Sequence, residues 1–429
     1  MVSRSALVVS KFDLRHLKLG MIHLPVEIWR YILLYAIDAP KILHIDPIPK
    51  GNLIEEAPYW ASERTRNALR RVCSSWNRFL AIHSHRYIRI SDFFHHMVPA
   101  ASLPNATRIR IDECYCSKCS PFTSDRFELA SIFENCVKSA HTLTGPIPWR
   151  VRIIDVEKHG YLDILALEPS RISNLRALLY WRGGNLPDII FSASPPLSIL
   201  RMRESDLAKM KQLDLSKIST LDIFGIQRTN LGVVHFPSLT HVSLDMSYVS
   251  RTHRNRVEQV LEWLQVYGRR LETFYWIDHV SEITDSEVDK VWSLCPQLQR
   301  IHLPLKATWP PPPSAHTLQQ LRVYLFERLL SDEDYRSPAP CPACNYTHVD
   351  VVQFSHHLPQ IAASGVGRIE IMTLVWHKWF DNTNAHIFCF WTQAKSYAIE
   401  VVDVSGMTFE QALVAYLEEC KRRSVCKRV

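Results

Sequence analysis

Apolar residues recur at helical spacing in two short stretches near the N-terminus. The first stretch follows Pro25, which suits the first turn of a helix because it has no N–H to lose, and its apolar side chains fall on one face: Ile28, Ile32, Leu33 and Ala36. The second stretch, residues 66–83, has the same rhythm at Leu69, Val72, Cys73, Trp76, Phe79 and Leu80. Two short helices cannot bury such faces alone, so we expect them to pack on each other and on something more.

Further along, the pattern changes to Leu-x-x-Leu-x-Leu, loosened to any large apolar residue. It occurs seven times, and its first residues lie 22, 21, 21, 32, 27 and 23 positions apart: Leu175, Leu197, Ile218, Leu239, Leu271, Leu298 and Leu321. These gaps are close to the period of a leucine-rich repeat, although the Asn or Cys of the strict repeat is missing. The pattern predicts an irregular α/β solenoid; the alternative is a general α/β domain whose strands recur by accident.

Other segments complete the predicted elements. Strands are expected where apolar and polar residues alternate, at residues 87–90, 107–111, 151–156, 349–354 and 366–371, and the segment 385–404 is rich in the aromatic and β-branched residues that favour strands. Helices are expected at residues 128–143, 254–267, 286–295 and 409–420. The last helix is placed to cap an apolar end of the solenoid.

The N-terminal residues Leu24-Pro25-x-Glu27-Ile28 and Ile32-Leu33, followed by Leu69-x-x-Val72-Cys73-x-x-Trp76, resemble the F-box. The F-box is the short helical module by which substrate receptors dock on the adaptor of SCF-type (Skp, cullin, F-box) ubiquitin ligases. The resemblance implies that a Skp-type adaptor binds the matching residues: Leu24, Pro25, Glu27, Ile28, Ile32, Leu33, Val72, Cys73 and Trp76. The chain departs from the pattern by an insertion at residues 38–63, a loop by its Pro and Gly content, which leaves the usual middle helix unaccounted for. Alternatively, these helices only begin a larger helical core.

The predicted organisation has four parts. Residues 1–23 form an arm, residues 24–90 the F-box-like module with its insertion, residues 91–404 the irregular repeat-like α/β domain, and residues 405–429 a capping helix with a basic tail.

Composition narrows the class of protein. The chain has 429 residues, 47% of them hydrophobic and 22% charged, as in ordinary globular proteins. A net charge of +7 over 50 basic and 43 acidic residues argues neither for nucleic acid nor for a membrane as partner. No apolar run is long enough to span a bilayer or to serve as a signal peptide, and the 11 cysteines have no disulfide-framework spacing. A cytoplasmic or nuclear location is therefore expected.

Two cysteine clusters have the short spacing that suits a tetrahedral metal ion. They are Cys114-x-Cys116-x-x-Cys119 and Cys341-x-x-Cys344-x-x-x-His348, and neither offers four ligands at a familiar zinc spacing, so loop cysteines are the simpler interpretation. Phosphate-loop, metalloprotease and serine-hydrolase motifs are missing from the sequence. We therefore expect a protein that is not an enzyme and has no cofactor.

The resemblance to the F-box implies a substrate-recognition subunit of an SCF-type ligase, whose repeat-like domain binds an unknown target protein. If the apolar positions of each repeat point into the core, the intervening positions face the other way and form the candidate target-binding set: Arg201, Arg203, Asp222, His241, Ser243, Asp245, Thr273, Tyr275, Arg300 and His302. The alternative function is a non-enzymatic scaffold that has no link to a ubiquitin ligase.

Overall fold

The computed structural model describes residues 24–38, 43, 57–95, 97–111, 149–156, 172–180, 194–204, 207, 210, 214–226, 234–246, 256–277, 283–303, 312–313, 316–323, 355–371, 385–403 and 406–426. The described residues fall into two compact units. The first unit comprises residues 24–38 and 57–84, and the second comprises residue 43 and residues 85–426.

The first unit consists of three helices: α1 (Val26–Ala36), α2 (Ala57–Leu69) and α3 (Ser74–Ala81). Helix α2 begins inside the segment 38–63 that the sequence predicts to be a loop, so that prediction is wrong for residues 57–63. The predicted continuous helix at residues 66–83 is also wrong, because residues 70–73 are not helical and separate α2 from α3. Cys73 is extended, with φ −158° and ψ 166°, and the two serines after it suit a helix start better than a helix interior.

A small apolar core holds the three helices together. Leu33, Ile37 and Leu80 are buried, and the partly buried residues packed around them are Leu69, Trp76 and Phe79. The Trp29 and Trp76 rings lie 5.3 Å apart, which joins α1 to α3. The Ser62 hydroxyl of α2 donates a 2.5 Å hydrogen bond to the Ile37 carbonyl at the end of α1.

The second unit is built on one parallel sheet of twelve strands that pair in sequence order. The strands are β1 (Tyr87–Arg89), β2 (Arg108–Ile111), β3 (Ile153–Val156), β4 (Ala177–Tyr180), β5 (Ile199–Arg203), β6 (Thr220–Phe224), β7 (His241–Asp245), β8 (Thr273–Ile277), β9 (Arg300–His302), β10 (Gln320–Val323), β11 (Arg368–Ile371) and β12 (Glu400–Asp403). The described α-helices of this unit are α4 (Ile90–Phe94), α5 (Arg256–Tyr267), α6 (Asp285–Leu294), α7 (Leu358–Ala363), α8 (Ala385–Ser396) and α9 (Phe409–Cys426).

One apolar residue of each strand lies beside its counterpart on the next strand. The row runs through Ile88, Ile109, Ile154, Leu178, Leu200, Leu221, Val242, Phe274, Ile301, Leu321, Ile369 and Val401. All twelve are buried in the main core, together with residues of helices α5 to α9. The repeated apolar position of the sequence therefore becomes a continuous ladder, because neighbouring parallel strands lie only about 4.8 Å apart.

Most predicted strands are present among the described residues, with three corrections. The last apolar match was placed three residues too late: Leu321 pairs with Ile301 and so holds the middle position of its repeat, with Leu318 before it. The segment 385–404 is only partly strand, since residues 385–396 form α8, whose buried residues Phe390 and Ala394 have the i, i+4 spacing of a helix face. Strand β1 belongs to the second unit, although the sequence places it in the F-box-like module.

Several predictions lie outside the described residues. They are the arm at residues 1–23, the helix at residues 128–143 and the strand at residues 349–354. Among the helices that the structure describes, none is both long and apolar enough to cross a bilayer.

Candidate interaction surfaces

Helix α1 carries an unusual amount of exposed apolar surface. Tyr31 and Tyr35 are 72% and 78% exposed, and four more large apolar residues of the same helix are exposed: Val26, Ile28, Ile32 and Leu34. Ile28, Tyr31, Ile32 and Tyr35 are spaced i, i+3, i+4 and i+7, so they lie along one face. A single exposed apolar residue is common on protein surfaces, whereas a contiguous patch marks an interaction site. We call these four residues the α1 face.

The structure separates the predicted adaptor-binding residues into three groups. The exposed ones are Pro25, Glu27, Ile28, Ile32, Val72 and Cys73, while Leu24 and Trp76 are partly buried. Leu33 is only 2% exposed and packs on Ile37 and Leu80, so its prediction as a docking residue is wrong. The helix needs Leu33 to hold it to its own unit.

The single apolar stripe predicted for this helix does not include Tyr31 and Tyr35. In the structure α1 is apolar on nearly its whole circumference, with Leu33 and Trp29, and Ile37 just after the helix, turned inward and the α1 face turned outward. A helix that is apolar all round is normally covered on all sides. That signal was present in the sequence.

The break between α2 and α3 presents Val72 and Cys73. Val72 is 61% exposed and Cys73 is also exposed. The Cys73 sulfur lies 3.3 Å from the Ser75 hydroxyl. Hydrogen bonds from the Ser75 side chain and the Trp76 backbone lower the pKa of the Cys73 thiol, because both stabilise the thiolate.

The predicted target-binding residues occupy the sheet face opposite the apolar row, and most of them are not accessible. Seven are buried: Arg201, Asp222, Ser243, Asp245, Thr273, Tyr275 and His302. Arg203 and His241 are partly buried, and Arg300 is exposed. The expectation that this face is an open polar surface is therefore wrong for seven of its ten residues.

Contacts between neighbouring strands explain part of this burial. Arg201 Nε lies 3.5 Å from Asp222 Oδ2, and Arg108 forms an ion pair with Asp155 on the same sheet face. His241 Nδ1 lies 3.0 Å from the Thr273 hydroxyl. Long side chains about 4.8 Å apart on parallel strands cover one another, so a strand position that faces away from the core can still be closed to a partner.

A network on this sheet face is centred on Arg322 of β10. Its guanidinium carbon lies 4.1 Å from the Tyr275 ring centroid, and its Nε and Nη2 each lie 2.9 Å from Glu370 Oε2. The Gln320 amide donates a third bond of 2.9 Å to the same oxygen. His302 Nδ1 lies 2.7 Å from the Arg322 carbonyl. The network ties β8, β9, β10 and β11 together, which is a structural role for Tyr275 and His302.

The candidate metal ligands cannot be placed. Cys114, Cys116, Cys119, Cys341, Cys344 and His348 all lie outside the described residues. Within the described part of the chain, no group of three or more His, Cys, Asp or Glu side chains is arranged to hold a metal ion.

Comparison with known proteins assigns no family. No protein-family model matches the chain, and no curated protein matches it significantly. The function therefore has to be argued from the two units themselves.

Proposed function

We propose that this chain is the substrate-recognition subunit of an SCF-type ubiquitin ligase. In this proposal, the three-helix unit is an F-box that binds a Skp-type adaptor, and the sheet unit is an irregular leucine-rich-repeat-like solenoid that captures a target protein. Other subunits carry out ubiquitin transfer, and this chain does no chemistry of its own.

The observation that carries the proposal is the α1 face. An 11-residue helix that exposes six large apolar side chains has only one fully buried residue, Leu33, to hold it in its own unit. Burying apolar surface contributes about 25 cal/mol per Å², so a partner that covers these side chains gains several kcal/mol from them alone. An adaptor with an apolar groove is such a partner.

The helix order gives further support. The sequence alone leaves the middle helix of an F-box unaccounted for, and the presence of α2 supports the proposal, since it lies between the Leu-Pro-x-Glu-Ile motif that leads into α1 and the Val-Cys-x-x-Trp motif at the start of α3. The second motif lies at the α2–α3 break, where Val72 and Cys73 are exposed near Trp76, whose ring contacts that of Trp29 of α1 in a tilted arrangement. Both motifs thus contribute to one small unit.

The strand order supports the solenoid part. Twelve strands that are all parallel and pair in sequence order are what a repeated strand–connection unit produces, with each repeat burying its apolar residues against the next. Such an array offers a long surface on which a target protein can bind.

The test is co-purification of the adaptor with Ile28→Glu/Ile32→Glu. Both side chains are exposed, so the substitutions leave the folded unit intact, but they place two charges in the interface. We expect the variant to retain less than about a tenth of the adaptor that wild type retains, since two buried charges cost more than 1.4 kcal/mol.

The matched control is Val266→Glu in helix α5, an exposed apolar residue of the second unit. It should retain the adaptor as wild type does. Equal retention by wild type and Ile28→Glu/Ile32→Glu would contradict the F-box assignment.

A further inference from the structure

Two arginines stand side by side where the chain enters neighbouring strands. Arg152 directly precedes β3 and Arg176 directly precedes β4, and the Arg176 backbone N–H donates a 2.8 Å hydrogen bond to the Arg152 carbonyl. Both side chains are exposed. Because the strands are paired at this point, the backbones of the two residues lie about 4.8 Å apart.

Neither arginine is balanced by an acid in the described part of the chain. Arg176 Nη1 donates to the Pro196 carbonyl at 3.4 Å, which uses one of five guanidinium N–H groups. The acid nearest in sequence to Arg152, Asp155, is buried in its ion pair with Arg108. Like charges placed opposite each other on paired strands destabilise a sheet. Two solvent-facing guanidiniums in register therefore suit a negatively charged ligand that bridges them.

The residues that precede the following strands are joined in the same row of backbone hydrogen bonds, but most of them are uncharged. The equivalent positions on the next strands hold Ser198, Ser219, Thr240, Glu272, Gln299 and Gln319, joined by the same kind of backbone hydrogen bond. The three hydroxyls bond back to the preceding carbonyl in the row, at 3.3 Å each. From Arg152 onward, the row has two positive charges, then neutral residues, then the negative charge of Glu272; before Arg152 it runs through Thr107 to Arg86, which is buried. It fits a short anionic segment, and it does not fit a long polyanion such as a nucleic acid.

We infer that Arg152 and Arg176 form a binding surface for a short acidic peptide segment of a target protein, rich in Glu or Asp. Guanidinium groups bind carboxylates by paired, charge-assisted hydrogen bonds, and two of them side by side select neighbouring carboxylates along an extended chain. This inference rests on the proposed function in that the sheet unit captures the target. It places the target-binding surface at the exposed N-terminal ends of β3 and β4 and not on the mostly buried sheet face.

The test uses the full chain and a fluorescein-labelled peptide of about ten residues in which Glu alternates with Ser. Binding is measured by fluorescence anisotropy at low salt. The variant is Arg152→Gln/Arg176→Gln, which keeps hydrogen-bonding side chains and removes both charges. We expect wild type to bind the peptide, and we expect the variant to bind it at least about tenfold more weakly, because each lost charge-assisted bond contributes more than a neutral one.

The chain offers a closely matched control pair. Arg269 and Arg270 are also adjacent and exposed, and Arg270 Nη1 also donates to a proline carbonyl, that of Pro237. Arg269→Gln/Arg270→Gln lowers the net charge equally but should leave peptide affinity within about twofold of wild type, since nonspecific attraction is all that it loses.

Three results would overturn the inference. They are the absence of peptide binding by wild type at low salt, an equal loss of affinity in both double variants, and tighter binding of a uridine RNA of similar length than of the peptide. The assay contains no adaptor, so a failure here leaves the α1 face and the ligase proposal untouched. Conversely, loss of adaptor docking in the Ile28→Glu/Ile32→Glu variant leaves the peptide result unchanged.

Discussion

Helix α1 and strand β6 are both rich in apolar residues, yet they are buried to opposite degrees. Every residue of β6 is buried, and its Leu221 lies between Leu200 and Val242 on the neighbouring strands. In α1, Leu33 alone is fully buried, while six large apolar residues are exposed. The strand gains cover from a neighbour on each side, whereas the helix unit has only a small core.

This difference in burial indicates that apolar residues have different roles in the two units. Repetition along the sheet makes each strand complete the burial of the previous one, so the pattern serves folding. The three-helix unit is too small to enclose its own apolar surface, as is general for units of this size, and the excess is available to a partner. Exposed apolar surface in the first unit therefore indicates function, while the apolar ladder of the second indicates stability.

The largest effect on stability should come from truncating a side chain in the buried apolar row of the sheet. Phe274 is fully buried between Val242 and Ile301, so Phe274→Ala removes a large side chain from a closed core. We expect a loss of about 3–5 kcal/mol in the free energy of unfolding, measured by urea denaturation. Val266→Ala, at an exposed helix position, should change it by less than about 0.5 kcal/mol. A loss below about 1 kcal/mol for Phe274→Ala would contradict the buried ladder.

A smaller and more local effect is expected in the helix unit. Leu33→Ala should cost about 2–3 kcal/mol, at the low end for a buried leucine because few residues surround it. Hydrogen exchange should become faster at residues 24–38 and 57–84, while the amides of β6 to β8 keep their protection. Equal loss of protection in those strands would show that the two units do not open separately.

A pH effect is expected at His316. Burial lowers the pKa of this imidazole, and the hydrogen bond from its Nε2 to the Cys295 carbonyl, 3.0 Å long, opposes that shift only in part. The unfolded chain therefore binds a proton more readily, so the His316 contribution is present above the ordinary histidine pKa of about 6.5 and is lost as pH falls below it. The melting temperature of His316→Gln should fall less than that of wild type between about pH 7.5 and pH 5.5. An equal fall in both proteins would contradict this.

The smallest effect is a difference in reactivity between two thiols, those of Cys73 and Cys295. Cys73 is exposed and its thiol pKa is lowered, whereas burial raises the pKa of the Cys295 thiol to about 12. Iodoacetamide near neutral pH should therefore alkylate Cys73 rapidly and leave Cys295 unmodified in the folded protein. Peptide mass spectrometry measures both rates, and faster alkylation of Cys295 would contradict the packing described around it.

The repeats were predictable because their signal is redundant. From β4 to β9, each predicted apolar triplet falls on its strand in the correct frame, since the alternation that selects Leu200 and Leu221 is the alternation of strand side chains. The frame failed at Leu321, where Leu318 and Val323 offered an equally good match three residues earlier. A local sequence pattern cannot distinguish these two frames. The pairing of Leu321 with Ile301 on the neighbouring strand shows which one is correct.

The binding residues were harder to predict because side-chain direction does not determine accessibility. Tyr275 faces away from the apolar row as expected, but Arg322 covers its ring, and Arg322 lies 47 residues further along the chain. Leu33 and Ile32 are neighbours of similar chemistry in sequence, and the packing of Leu33 in a cluster with the distant Leu80 distinguishes the buried residue from the exposed one. Contacts between distant residues of this kind leave no mark in a single sequence.

The most direct test of the central claim is calorimetric titration of the full chain with a purified Skp-type adaptor, at several temperatures. We expect one-to-one binding with a negative heat-capacity change, because the α1 face and Val72 become buried in the complex. We also expect Tyr31→Ala/Tyr35→Ala to weaken binding by at least about tenfold, since exposed aromatic residues that a partner buries contribute strongly to affinity. Binding that is undetectable, or that is unchanged in Tyr31→Ala/Tyr35→Ala, would contradict the claim that the α1 face is an adaptor-docking surface.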